Sequence, residues 1–268
     1  MPRADTPPAD PVARRSFLAG LALGALVVLA GCGPEGASAR PRVVVFAAAS
    51  LSDVLEEVAA GWTPQSGVDV SFSFGPTSKL VPQIEQGAPA DALFSADEAW
   101  MKRLADAGKV DEASRAVVAR NELVFAVPQR AAEAPASPAA LPGALRSVAL
   151  AGENVPAGKY ARAALEHAGV WAAVRPRVKP GEDVRLTLRL VATDEVDGGV
   201  VYRTDALAEP RVRVAFAFPA ASHPPIVYPA AAVAGAAQRD AAARFVAHCR
   251  GPQAQAVFRK HGFAPPTP

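Results

Sequence analysis

The chain has 268 residues, of which half are hydrophobic and one fifth are charged, a balance typical of a globular protein. Its 28 basic and 26 acidic residues leave a formal net charge of +2, which argues against a nucleic-acid-binding protein that works through a strongly basic surface. Two cysteines, Cys32 and Cys249, are too few for a disulfide scaffold or for a zinc site made of thiolates alone.

The first 31 residues have the organisation of an export signal. Arg14 and Arg15 precede an uncharged apolar run over residues 17–30, which is shorter than the roughly 20 residues of a membrane-spanning helix. The alternative is a buried hydrophobic helix. The run ends in Leu29-Ala30-Gly31-Cys32, which resembles the bacterial lipobox, and Arg14-Arg15 with the residues after it resembles a twin-arginine signal. The sequence leaves open which export route is used.

Cleavage before Cys32 would leave a mature chain of 237 residues, because 31 of the 268 residues precede that cysteine. We predict that Cys32 carries a lipid anchor, in either the inner or the outer membrane, and that residues 32–41 form a tether. Cys249 lies on a helical pattern, which favours a small buried side chain.

Strand-like and helix-like patterns alternate from residue 42 onward. Apolar or alternating runs predict strands at residues 43–46, 68–74, 92–94, 123–128, 148–150, 200–202 and 212–216. Helical spacing predicts helices within 51–62, 80–84, 95–108, 156–169, 236–249 and 252–260. Ser95 with Glu98 matches a capping box for the third helix, whereas residues 184–191 fit a strand and a helix equally. The alternation predicts an α/β fold with largely parallel sheets covered by helices.

Several strand-to-helix turns carry groups that suit an anion. Ser50 follows the first predicted strand, and Gly75 precedes Thr77 and Ser78 at the end of the second. Helix-start N–H groups are also free to bind anions. Taken alone, each of these turns is weak evidence for a site, and the Ser50 turn is better explained as an ordinary helix cap.

Together these segments resemble the periplasmic molybdate-binding proteins of ABC transporters, over residues 43–263. The resemblance rests on ordered motifs, which are Val45-Phe46-Ala47-Ala48-Ala49-Ser50-Leu51, Gly87-Ala88-Pro89-Ala90-Asp91, Phe94-Ser95-Ala96-Asp97, Val155-Pro156-Ala157-Gly158-Lys159-Tyr160, Glu182-Asp183-Val184-Arg185, Gly199-Val200-Val201-Tyr202, Tyr228-Pro229 and Gly251-Pro252-Gln253-Ala254.

The resemblance implies a two-lobed fold of the type II periplasmic-binding-protein class, with the ligand in the cleft between the lobes. Its pattern predicts a first lobe from residues 42–121, a second lobe from 122–217 and a return to the first lobe over 218–268. It also implies ligand contacts from two hydroxyls, two backbone N–H groups and a phenol, at Ser50, Thr77, Ala157, Val184 and Tyr202. Family members usually have serine at the position of Thr77, so neighbouring Ser78 is an alternative contact.

The chemistry of these groups agrees with a fully deprotonated tetrahedral dianion, which needs donors and few acceptors. Phosphate keeps a proton near neutral pH and benefits from a carboxylate acceptor, so the direction of the Asp183 side chain matters. The four histidines, at 167, 223, 248 and 261, have no metal-ligand spacing. We therefore expect a metal to be bound only as the central atom of the oxyanion, molybdate, and not as a separate ion.

The family resemblance, together with the lipobox-like segment, implies an exported, lipid-anchored, monomeric receptor that is not an enzyme and uses no cofactor. It would capture molybdate or tungstate and deliver it to an inner-membrane ABC permease with its ATPase. The alternatives are a receptor for another anion such as sulfate or for a metal chelate, and an exported hydrolase with Ser50 as nucleophile. The segment around Ser50 lacks the glycines of a G-x-S-x-G nucleophile turn, which argues against the hydrolase.

Overall fold

Ten β-strands form two five-stranded sheets in the computed structural model, which describes residues 40–267. The predicted export signal, Cys32 and most of the predicted tether lie outside the described residues. The strands are β1 (Arg42–Ala48), β2 (Asp69–Gly75), β3 (Ala92–Phe94), β4 (Ala116–Arg120), β5 (Leu123–Pro128), β6 (Val148–Ala151), β7 (Val178–Gly181), β8 (Gly198–Tyr202), β9 (Val212–Ala217) and β10 (Val227–Ala232).

Ten α-helices of the described residues cover these sheets, together with four short 3₁₀ turns. The helices are α1 (Ser52–Ser66), α2 (Thr77–Glu85), α3 (Glu98–Asp106), α4 (Leu141–Ala144), α5 (Pro156–His167), α6 (Trp171–Val174), α7 (Val184–Ala192), α8 (Arg203–Ala208), α9 (Arg239–Arg250) and α10 (Pro252–Lys260). Within the described part of the chain, none of these helices has the length and apolar character needed to cross a membrane.

Both sheets are mixed but mostly parallel, as predicted, because one strand in each runs against the other four. The first sheet has the order β2-β1-β3-β10-β4, and the second has the order β7-β6-β8-β5-β9. In each sheet four strands run in the same direction, while β10 in the first sheet and β5 in the second run antiparallel to both of their neighbours. These two strands enter directly from the other sheet, so no helical crossover imposes a parallel direction on them.

The chain passes between the sheets at two places. Only Asn121 and Glu122 separate β4 in the first sheet from β5 in the second. The return runs from β9, which ends at Ala217, to β10, which begins at Val227. The predicted boundaries of the two lobes, and the movement of one lobe relative to the other, stay a prediction.

Most predicted elements are present, and the differences have local causes. Residues 184–191 form a helix, because the side chain of Asp183 accepts a hydrogen bond from the N–H of Leu186 and caps α7. The predicted cap at Ser95 was wrong: Asp97 caps α3 by accepting from the N–H of Trp100, at 2.8 Å. The Ser95 hydroxyl is used within the turn, where it donates to the carbonyl oxygen of Asp97, at 2.6 Å.

The core of the first sheet is aromatic on the face covered by α1 and α9. The ring of Phe245 packs against Trp62 and Phe94, with centroids 5.1 and 5.8 Å apart. Cys249 is fully buried on the same helix, as its pattern predicted, and burial raises the pKa of its thiol. This packing fixes the positions of β1, β2 and β3, whose carboxyl ends carry candidate ligands.

Candidate anion-binding site

The first sheet places two hydroxyls at the carboxyl ends of adjacent parallel strands. After β1 the chain enters a 3₁₀ turn over Ala49–Leu51 that leads directly into α1, and Ser50 lies in this turn at 2% exposure. After β2 the chain turns at Pro76, and Thr77 begins α2 with its side chain fully buried. Ligands in α/β sheets bind beyond such strand ends.

The second sheet contributes two helix starts and a phenol from its own parallel strands. Ala157 is the second residue of α5, which follows β6, and Val184 is the first residue of α7, which follows β7. Backbone N–H groups in these positions have no partner within their helix. Tyr202 is the last residue of β8 and is 1% exposed.

One small cavity brings all five predicted ligand residues together. Its volume is about 20 Å³, on the scale of a single small ion or water molecule and too small for a sugar or peptide. We call its lining the cavity wall, which consists of Ala48, Ala49, Ser50, Thr77, Ala96, Val155, Pro156, Ala157, Asp183, Val184 and Tyr202. Ser78 is partly exposed and lies outside this lining, so the geometry favours Thr77 as the second hydroxyl.

Gly158 allows the start of α5 to come close to the loop after β6. A Cβ atom at this position would lie 2.2 Å from the carbonyl oxygen of Gly152 and 2.4 Å from that of Ala151. Both contacts are with backbone, so a larger residue would displace the helix. The glycine therefore holds the N–H of Ala157 at the cavity wall.

The hydroxyl of Tyr202 has no hydrogen-bond partner among the described residues, although it is buried. Such a group costs free energy unless something satisfies it. Burial raises the pKa of this phenol well above its ordinary value, so the group keeps its proton. A protonated phenol facing the cavity is a donor for an anion.

The other two hydroxyls of the wall each contact a protein group as well. Oγ of Ser50 lies 3.1 Å from Oη of Tyr228, a residue behind the wall. Oγ1 of Thr77 accepts a hydrogen bond from the N–H of Ala96, at 3.2 Å. Neither contact involves an acidic group.

Asp183 is the charged residue of the wall, and its carboxylate faces its own helix. Its Oδ1 accepts the N–H of Leu186 at 2.8 Å, which answers the question that the sequence left open. A carboxylate used in this way offers less to a protonated ligand, so the wall is dominated by donors.

A buried ion pair lies behind the wall. Arg185 follows Val184, and its guanidinium lies 2.8 Å from carboxylate oxygens of both Asp53 and Asp205. The contact between Nε of Arg185 and Oδ1 of Asp205 is an ion pair without hydrogen-bond geometry. Asp205 is fully buried, and its burial raises the pKa of the carboxyl to about 7. The two carboxylates belong to α1 and α8, so Arg185 joins elements of both sheets.

Four further contacts close the cleft around the cavity, and we call them the cleft rim. Lys79 pairs with Glu182, and Nζ of Lys159 lies 3.8 Å from Oδ2 of Asp97. The indole N–H of Trp100 donates to the carbonyl oxygen of Asn154, at 3.1 Å, and Nζ of Lys159 lies 4.9 Å from the centre of the same ring system. Each contact joins a helix region of the first sheet to one of the second.

Sequence reasoning identified the wall but missed the groups behind it. Tyr228 appeared only within a family motif without a role, and Asp205 was not singled out, because each reaches the site only through the tertiary fold. No cluster of His, Cys, Asp and Glu suited to a metal ion occurs in residues 40–267. The predicted ligand groups of the cavity wall are therefore neutral donors, and the ion pairs of Arg185 lie behind them.

Comparison with known proteins places this arrangement in a family. The model for bacterial extracellular solute-binding proteins matches residues 43–264. The molybdate-binding protein ModA of Escherichia coli is 37% identical over 254 residues, which cover 92% of this chain and 96% of that protein. The chain belongs to the family of bacterial extracellular solute-binding proteins that includes ModA.

Two further relatives agree with this assignment. The putative ABC transporter substrate-binding lipoprotein YvgL of Bacillus subtilis is 34% identical over 90% of this chain and 95% of its own length. The solved periplasmic molybdate-binding protein of Azotobacter vinelandii superposes with a TM-score of 0.75 and 25% identity, over 84% of this chain and all of that one. The predicted resemblance and the predicted two-lobed fold class are confirmed.

Proposed function

We propose that this chain captures molybdate or tungstate outside the cytoplasm and delivers it to an ABC permease and its ATPase. The observation that carries the proposal is the cavity wall, in which a buried phenol with no partner in residues 40–267, two hydroxyls and two helix starts converge on a space of about 20 Å³. Such dipoles stabilise a dianion without a cationic side chain. The names of two ModA relatives state molybdate as their ligand.

In this proposal Ser50, Thr77 and Tyr202 donate through their hydroxyls, and Ala157 and Val184 donate through their backbone N–H groups. The position of Thr77 in the wall supports it over Ser78. The proposal includes selection by size, since sulfate is a smaller tetrahedron and would be held loosely in a site shaped for molybdate.

Calorimetric titration of the purified protein tests the ligand. We expect heat from molybdate and tungstate at low concentration, and weak or no heat from sulfate and phosphate. Heat from sulfate or phosphate alone would overturn the molybdate assignment and favour another oxyanion receptor.

The hydrolase alternative receives no support from the site. In the described residues the side-chain hydrogen bond of Ser50 goes to the hydroxyl of Tyr228, not to a histidine or another base. We therefore propose a binding role without catalysis. Hydrolysis of a generic ester by the wild-type protein, lost in Ser50→Ala, would contradict it.

We further propose that the exported chain is a monomer anchored to a membrane by lipid on Cys32. Its support is the lipobox-like segment of the sequence. Labelled palmitate should enter the wild-type protein in cells but not Cys32→Ala, and only the wild type should stay with the membrane fraction. Equal labelling would overturn the anchor.

A further inference from the structure

Tyr228 and Asn121 form a chain of hydrogen bonds behind Ser50. The hydroxyl of Tyr228 lies 3.1 Å from Oγ of Ser50 and 3.1 Å from Nδ2 of Asn121. Tyr228 is fully buried on β10, and Asn121 lies where the chain passes from the first sheet to the second. Neither residue is part of the cavity wall, so neither touches a ligand there.

The orientation of the Asn121 amide is determined by its other contacts. Its Oδ1 accepts the backbone N–H of Glu122, at 2.9 Å, which leaves Nδ2 to face Tyr228. Nδ2 also donates to Oγ1 of Thr204, at 2.9 Å. An amide NH₂ group only donates, so Tyr228 must accept from Asn121.

The direction of the next proton follows from this arrangement. A phenol has one proton, and Tyr228 contacts only Asn121 and Ser50 with its hydroxyl among the described residues. Because Asn121 cannot accept, the proton of Tyr228 is donated to Ser50. The hydroxyl of Ser50 is thereby supplied with a donor from behind, and its own proton is left to point into the cavity.

The hydroxyls of Thr77 and Tyr202 also direct their protons into the cavity, for different reasons. Thr77 accepts the N–H of Ala96, which leaves its proton for the cavity, and Tyr202 has no partner within residues 40–267. All three hydroxyls of the wall therefore present protons. A ligand oxygen that carries a proton would meet donors and no acceptor among them, and would lose a hydrogen bond.

We propose that Asn121 and Tyr228 are positioning residues that set the proton direction of Ser50, so that the site takes fully deprotonated oxyanions and rejects protonated ones such as hydrogenphosphate. The inference rests on the proposed function, because it requires that the cavity binds an oxyanion. Asn121 and Tyr228 lie outside the cavity wall, so they act on the ligand only through Ser50.

The variant Asn121→Asp tests the direction, because a carboxylate at this position only accepts. Tyr228 would then donate to residue 121 and accept from Ser50, which would turn a lone pair of Ser50 toward the cavity. The added charge repels sulfate and hydrogenphosphate alike, and the two anions have similar size. We expect the ratio of phosphate affinity to sulfate affinity, measured by competition against molybdate, to rise by roughly 10-fold or more.

The variants Tyr228→Phe and Ser50→Ala test the same chain without new charge. Tyr228→Phe keeps the ring and removes the hydroxyl that donates to Ser50. As a single substitution it should weaken molybdate binding by roughly 10-fold. In the Ser50→Ala background it should have no further effect, because the group that it orients is gone. Tyr160→Phe is a matched control, since it removes a buried hydroxyl near the carbonyl oxygen of Ala96 and should leave the anion ratio unchanged.

The outcomes separate this inference from the proposed function. Wild-type protein that binds no molybdate or tungstate refutes the proposed function itself. If the wild type binds molybdate, an unchanged ratio or undetectable phosphate binding in Asn121→Asp overturns the proton direction. Additive losses for Tyr228→Phe and Ser50→Ala show that Tyr228 acts on the fold and not through Ser50, which also overturns it. A raised ratio in Asn121→Asp together with non-additive losses supports it, and a lowered ratio overturns it. Unfolding of either variant leaves the other as the deciding test.

Discussion

The cavity wall and the cleft rim face the same cleft, but they are built from different chemistry. The wall uses buried hydroxyls and helix-start N–H groups, and its one carboxylate, on Asp183, caps a helix. The rim uses charged side chains, such as the pair Lys79–Glu182, in which each side chain is more than half exposed. Buried dipoles are little affected by salt, whereas exposed charges are screened. The difference supports the proposal that the wall recognises the ion while the rim holds the two sheets together around it.

Arg185 belongs to neither class, and its loss should produce the largest effect. Arg185→Met removes the cation beside the fully buried carboxyl of Asp205, and the loss of one partner of a buried pair destabilises a protein by about 3–5 kcal/mol. Chemical denaturation of the purified variant measures this loss. Asp53→Asn removes the other, half-exposed partner of Arg185 and should cost no more than about 1 kcal/mol. Equal losses in the two variants would contradict the assignment of Asp205 as the buried partner.

Removing a donor of the wall should have the next largest effect. Tyr202→Phe deletes a buried hydroxyl that has no protein partner in residues 40–267, so it should change affinity more than stability. Loss of a hydrogen bond to a charged group costs about 1.5–3 kcal/mol, or about 10- to 150-fold in the affinity for molybdate. Titration calorimetry measures the loss, and Tyr160→Phe is again the control from the same aromatic cluster. Unchanged affinity in both Tyr202→Phe and Ser50→Ala would refute the wall as the binding site.

The wall could be predicted from sequence because its groups follow local signals. Ser50 and Thr77 each come directly after a strand and before a helix, and Pro156 marks a helix start. Parallel strands then bring these signals to one edge without any need for side-chain detail. The resemblance to a family assigned the ligand roles of all five residues, including Tyr202, which has no helix signal of its own.

The groups behind the wall could not be predicted, because each depends on strand order or on competition between neighbours. Pro229 interrupts the pattern of β10, where the pairing with β4 shifts register, so the strand that carries Tyr228 was missed. Arg185 and Asp205 lie 20 positions apart and meet only after α7 and α8 pack together. Ser95 and Asp97 are both good caps, and only the folded turn shows that Asp97 caps α3.

The rim should contribute less per residue than the wall. Trp100→Phe removes a hydrogen bond to Asn154 and weakens the contact with Lys159, so the closed arrangement should lose about 1 kcal/mol. We expect molybdate affinity to fall by about 5-fold in titration calorimetry. Trp171→Phe is the matched control, because its ring contacts Arg162 on the second-sheet side of the cleft only. A similar loss in both variants would show that Trp100 acts on folding in general and not on closure.

The smallest effect should come from Lys79, and it tests the comparison most directly. Lys79→Gln removes an exposed pair with Glu182, which is worth no more than about 1 kcal/mol. Raising salt from about 0.1 M to about 1 M shortens the screening length from about 10 Å to about 3 Å. In the wild type, high salt should therefore lower the molybdate affinity by about as much as Lys79→Gln does at low salt. The variant should lose less, because its rim has one charged contact fewer. Lys102→Gln removes an equally exposed pair with Asp106 within α3, and it should keep the salt dependence of the wild type. If Lys79→Gln and Lys102→Gln respond to salt alike, the rim does not hold the cleft closed through charge, and the wall alone accounts for binding.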